Sequence, residues 1–175
     1  MKAPNGKPSN LSPEQYKIVR TPAFKKWFGD WENDAENSSK VVDENGEPLV
    51  VYHSTTKKFT KFKDSKYSNY IFFSNDLDHV EVYGDIVYEC FLVIKNPSIN
   101  LYPKADLKEN KQDGYINKYN EKDFFKIKTR VYCVIKSTQI KLADGTNTTF
   151  DGSNPDIRYE IGGNINNFNY TIGGL

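Results

Sequence analysis

The run Arg20-Thr21-Pro22-Ala23-Phe24-Lys25-Lys26-Trp27-Phe28-Gly29-Asp30-Trp31 carries a complete helix signature. Thr21 is a capping residue and Pro22 suits the first helical position, where a missing N–H costs nothing. Phe24, Trp27, Phe28 and Trp31 fall at i, i+3, i+4 and i+7, one apolar face of a helix. Aromatic residues at that spacing read as core, and Gly29 marks the helix end. Upstream, Ser12-Pro13-Glu14-Gln15 is a capping box that opens a short helix ending near Arg20. Residues 1–10 hold Pro, Gly, Asn and Lys and read as a flexible lead-in.

Downstream of Trp31 the pattern changes from helix to strand. Val41-Val42, the turn Asp43-Glu44-Asn45-Gly46 and Leu49-Val50-Val51-Tyr52 predict a hairpin, with Asn45-Gly46 supplying positive φ angles. His53-Ser54-Thr55 follows directly. Residues 57–69 read as a loop rich in Lys, Ser and aromatics. Tyr70 to Ser74 is a short strand, Asn75 or Asp76 caps a helix through about Tyr83, and Ile86 to Ile94 is a strand stopped at Asn96-Pro97. Residues 98–123 read as irregular, with a turn at Asp113-Gly114. Strands are expected at 124–127, at 130–135 and around Ile140-Lys141-Leu142. The fold class is α+β, with residues 11–143 as the domain and residues 144–175, dominated by Gly, Asn, Thr and Pro, as a loosely ordered tail.

Composition narrows the function classes. Of the 175 residues 37% are hydrophobic but 14% are aromatic, so Tyr and Phe carry much of the core. Net charge is +1, which leaves no global field for nucleic acid. Cys90 and Cys133 sit in apolar runs and read as buried thiols, and no ligand spacing for a metal accompanies them. No apolar run approaches the ~20 residues of a membrane span, and the first residues have no signal-peptide core, so a cytoplasmic site of action and no membrane partner are expected. Lys57, Lys58, Lys61 and Lys63 alternate with Phe59 and Phe62. That pattern fits a half-buried strand with a solvated Lys face, or a surface for a diphosphate or RNA.

Three segments in order carry the chemistry: Val50-Val51-Tyr52-His53-Ser54-Thr55; Ile71-Phe72-Phe73-Ser74 with Tyr83 beyond it; and Val131-Tyr132-Cys133-Val134-Ile135 running into Gln139-Ile140-Lys141. The series resembles that of ADP-ribosyltransferases of the poly(ADP-ribose) polymerase type, whose triad is His-Tyr-Glu. It is closer still to the ADP-ribosyltransferase-like domain of phage and mobile-element polyvalent proteins. The run from Arg20 to Trp31, Ser39 to His53, and the ending Phe150-Asp151 with Ser153-Asn154-Pro155-Asp156-Ile157-Arg158-Tyr159 all look like that branch.

This resemblance implies a split β-sheet core, NAD as substrate, no metal, and a host protein or RNA as acceptor, in the cytoplasm of a bacterial host and with virion delivery as a variant. It leaves oligomeric state open. It implies roles at matched positions. His53 bonds the ribose beside nicotinamide. Ser54, at a position usually Gly, offers backbone groups to the nicotinamide amide, and Thr55 offers a hydroxyl near the same ribose. Phe72 stands at the triad Tyr and keeps the aromatic face, and Tyr83 is the second stacking ring. Val80 stands where some members have a Ser bonding the amide. Tyr52 and Ser74 complete the expected NAD-binding set. Val131 stands at the triad Glu, so the negative partner of the reacting ribose is lost from that position. Glu121, Asp123 and Asp113 are candidate substitutes. Single-unit transfer of ADP-ribose is the activity implied, and the alternative is a degenerate module of the same fold that binds NAD, ADP-ribose or a protein.

Overall fold

The computed structural model describes residues 1–64, 70–98, 111–117 and 129–158. Helices α1 (Pro13–Ile18) and α2 (Pro22–Phe28) come first. Strands β1 (Val51–Thr55) and β2 (Ile71–Ser74), helix α3 (Leu77–Glu81), and strands β3 (Ile86–Leu92), β4 (Pro97–Ser98), β5 (Gly114–Asn117), β6 (Val131–Val134) and β7 (Ile140–Leu142) follow. The strands form one sheet in the order β4-β5-β6-β2-β1-β3-β7, antiparallel except for the parallel pair β4 and β5. The architecture is α+β, as the sequence predicts.

The helix starts follow the capping logic. Ser12 Oγ accepts from the Gln15 amide at 3.2 Å, and Gln15 Oε1 accepts from the Ser12 amide at 3.0 Å. Thr21 Oγ1 accepts from the Phe24 amide at 3.2 Å. Helix α2 stops at Phe28, so Trp31 lies beyond it, yet it stays in the same buried cluster. The stop is at Gly29, with φ +110°, where an added Cβ would lie 2.4 Å from the Ser38 Cα. Arg20 joins these helices to the turn between Val42 and Pro48. Its guanidinium stacks 3.5 Å from the Tyr16 ring and bonds the fully buried Glu47 carboxylate at 2.9 Å.

Period-2 alternation splits the core into two layers. Val51, Phe73, Cys90, Leu92, Tyr132 and Val134 point to one face. Phe91 points to the other, where Phe24, Trp27, Phe28 and Phe150 cover it. Both thiols are buried and free, and burial raises their pKa, Cys133 to about 12.

Several expectations are corrected. Residues 144–158 are a packed strap: Phe150 and Ile157 are buried in the two different core layers, so the strap wraps the edge strand β7. Lys141 Nζ donates to the carbonyls of Asn154 (2.6 Å) and Asp156 (3.0 Å), and Asn147 Nδ2 donates to that of Ile157 (2.8 Å). The lead-in is also held: Ala3 is buried, and Asn5 Nδ2 donates to Asn45 Oδ1 at 2.9 Å. The expected hairpin is a turn closed by the single bridge Val42–Pro48, and only Gly46 in it takes a positive φ. Strands β4 and β5 fall where irregular chain was expected, because β6 supplies β5 with a partner that local sequence does not reveal. The strand expected at 124–127 and residues 159–175 lie outside the described residues.

Candidate active site

Strands β1 and β2 share one register pair, Tyr52 with Ser74, and then part, while β1 stays paired with β3 through Thr55. A cavity of about 840 Å³ opens at this split. His53 spans it. Its Nδ1 lies 2.8 Å from the Phe72 carbonyl, which can only accept, so Nδ1 carries the proton and Nε2 presents a lone pair. The ring packs edge-on against Phe62 (5.0 Å between centroids) and against Phe73 (5.3 Å). This burial lowers the His53 pKa, opposed by the bond to Phe72, so the imidazole is neutral at pH 7.

Phe72 and Tyr83 are 54% and 67% exposed, unusual for large apolar rings, and both line the cavity. Helix α3 places Tyr83. The Ser54 hydroxyl donates to the Val80 carbonyl, and Ser74 Oγ accepts from the Asp76 amide at 3.1 Å just before α3. Gly84 then packs so closely that an added Cβ would lie 2.2 Å from the Thr55 carbonyl carbon.

His53, Ser54, Phe72, Ser74, Tyr83 and Val131 thus line one cleft, with the Val80 side chain in its wall. Tyr52 and Thr55 are outside its lining. Tyr52 shares the opposite strand position with Glu89, and burial, then the Glu89 charge, raises its pKa. Thr55 Oγ1 accepts from the Lys57 amide at 3.3 Å. Val131 pairs with Ser74 and brings only methyl groups. No carboxylate lines the cleft among the described residues. Asp113 is excluded as the substitute: its two oxygens accept from the Lys95 and Asn96 amides, each at 2.8 Å, and it lines a different cavity. Glu121 and Asp123 lie outside the described residues.

The model of a family described as ADP-ribosyltransferase in polyvalent proteins matches residues 43–130, half of the chain. The chain belongs to this family. No curated protein and no solved structure is significantly similar to it. The match takes in His53, Phe72 and Tyr83 and stops one residue short of Val131.

In this ADP-ribosyltransferase domain the cleft also holds groups that sequence reasoning did not assign to it. His79 on α3 lines it, with no motif to announce the residue. Lys61 and Lys63 line it while Lys57 and Lys58 do not. The alternation of Lys with Phe was visible, but residues 57–64 form a loop with one bridge, Lys61 to Asp156, instead of a strand. Phe62 is buried in the core and the half-buried Phe59 packs against it, and both also line the cleft. Among the described residues no cluster of three or more His, Cys, Asp or Glu is placed to hold a metal. No helix among them is long and apolar enough to cross a membrane.

Proposed function

We propose that this domain takes NAD as substrate, breaks the bond between nicotinamide and ribose, and transfers a single ADP-ribose to a host macromolecule, a protein or an RNA. The convergence of a neutral His53 with the exposed rings of Phe72 and Tyr83 in one cleft supports this reading. The two rings offer faces to the planar, cationic nicotinamide, where stacking and cation–π attraction add. His53 Nε2 accepts from a ribose hydroxyl and fixes the sugar. Ser54 contributes backbone groups to the carboxamide. As the glycosidic C–N bond breaks, its electron pair goes to the nicotinamide nitrogen, which becomes neutral. A lone pair of the acceptor then bonds the ribose carbon, and the acceptor's proton passes to water.

Positive charge builds on the ribose during that step. A preplaced carboxylate is worth several kcal/mol there, and Val131 brings none. Slow turnover and single-unit transfer are therefore expected. The test is calorimetric titration with NAD, followed by an assay of released nicotinamide with candidate acceptors, with His53→Ala as control. Release that disappears in the control supports transfer. Folded protein that releases no nicotinamide under any condition overturns it.

The lack of a carboxylate in the described cleft lining favours a second reading, a module that binds NAD or ADP-ribose without turnover. It predicts binding with no release.

A further inference from the structure

The cleft is larger than a nicotinamide ring requires, and its charge is one-sided. Its volume of about 840 Å³ suits a ligand of nucleotide size. The charged residues that line it are Lys61 and Lys63, and no carboxylate among the described residues shares that lining, although Asp156 outside it is near enough to Lys61 for their charges to interact. Such a surface attracts an anion, and it does so best when the charges need no reorganisation to meet it.

The segment that carries both lysines is held at three points. The Tyr88 hydroxyl accepts from the Phe59 amide and donates to the Phe59 carbonyl, each at 2.8 Å. Ile157 of the strap donates its amide to the Thr60 carbonyl at 2.9 Å. That bond belongs to the isolated β-bridge that pairs the backbones of Lys61 and Asp156. Asp64 Oδ1 accepts from the Ser137 amide at 2.7 Å. Between the lysines, Phe62 is buried and packs on His53. Lys61 and Lys63 are exposed, and both line the cleft.

We propose that Lys61 and Lys63 take the diphosphate of the dinucleotide, so that the cleft holds the ADP-ribosyl end independently of the nicotinamide end. This rests on the NAD-site reading above for the position of the ring, but the lysine contact has its own test. Two consequences follow. ADP-ribose binds without nicotinamide, and its affinity falls with rising salt as screening weakens the lysine–diphosphate attraction.

The experiment is titration of the purified protein with ADP-ribose and, separately, with nicotinamide. Wild type is compared with K61A/K63A and with K57A/K58A, which removes the same charge from the same loop outside the cleft. Thermal melting checks that each variant is folded. The expected result is ADP-ribose binding weakened tenfold or more in K61A/K63A and less than threefold in K57A/K58A, with nicotinamide binding unchanged in both. Equal losses in the two variants, or no loss in K61A/K63A, would overturn the lysine assignment even if nicotinamide binds. Lysine-dependent ADP-ribose binding with no nicotinamide binding would uphold the inference and overturn the ring-stacking reading. Failure of both ligands to bind would overturn both.

Discussion

His53 shows how one side chain is set for one task. Its Nδ1 proton is committed to the Phe72 carbonyl at 2.8 Å, and three phenyl rings surround it. Burial favours the uncharged ring, so its pKa lies below the ordinary histidine value, and Nε2 stays a lone-pair acceptor at pH 7. Protonation would turn that acceptor into a donor. NAD affinity is therefore expected to hold from pH 8 down past about 6.5 and to fall only below it, with the His53 ring protons titrating at the same midpoint by NMR. A midpoint above the ordinary value would contradict the neutral-acceptor role. The sign for stability agrees: below the unfolded-state pKa the unfolded chain binds a proton that the folded ring resists, so this group destabilises the fold as pH falls. Val131 is the complementary case. It lines the cleft beside Ser74, and in the reaction proposed above a carboxylate there would stabilise the charge that builds on the ribose. Val131→Glu is expected to raise nicotinamide release tenfold or more, measured against Val131→Gln to separate charge from size. Equal rates in the two variants would show that the missing charge does not limit the reaction.

At the scale of elements, the strap over β7 was the least legible part of the fold. Its residues 144–158 look like loop because nothing in them alternates, and they are held by side chains bonding to backbone. Lys141 is the clearest case. It is fully buried in β7, and burial lowers its pKa to about 8. Lys141→Met leaves the carbonyls of Asn154 and Asp156 without this donor and is expected to cost about 1–3 kcal/mol. The pH dependence makes the test specific. Above pH 8 and up to the unfolded value near 10.4, the unfolded chain holds a proton that the folded Lys141 has released, so wild-type stability from this group rises with pH. The gap between wild type and variant in urea melts should widen from pH 7.5 to 9.5, and a shrinking gap would reject the buried amine as its cause. Elements built on periodicity were readable by contrast. The aromatic face of α2 and the apolar runs of β3 and β6 appear in the sequence within two residues of their observed bounds. Strand β5 escaped because four residues flanked by turn formers carry too little pattern, and its partner is distant in the chain. In the cleft, the ordered motifs announced His53, Phe72 and Tyr83. The loop lysines were visible, but which of them face the cleft depends on where the strap pins their backbone.

Across the whole molecule, the aromatic cluster around α2 and the cleft use different residues, and no member of that cluster lines the cleft. The face toward α2 is an aromatic cluster in which Phe24 touches Trp27, Phe28, Phe91 and Phe150 at centroid distances of 4.9–5.9 Å. The other face carries Phe62, Phe73 and Tyr88 up to the ring of His53. A substitution on the first face should lower stability while leaving the cleft of the surviving folded molecules intact. Phe24→Ala removes a fully buried ring, at a cost of about 3–5 kcal/mol. In a domain of this size that lowers Tm by about 6–20 °C. Nicotinamide affinity at 15 °C, where the variant is still folded, should stay within twofold of wild type. Phe62→Ala is the opposing control. Phe62 packs on His53 and lies between the two cleft lysines, so its loss should weaken ligand binding as well as stability. If Phe24→Ala weakened binding as much as Phe62→Ala, the two layers would be one coupled unit, and the sheet would transmit strain from the helices to the cleft instead of insulating it.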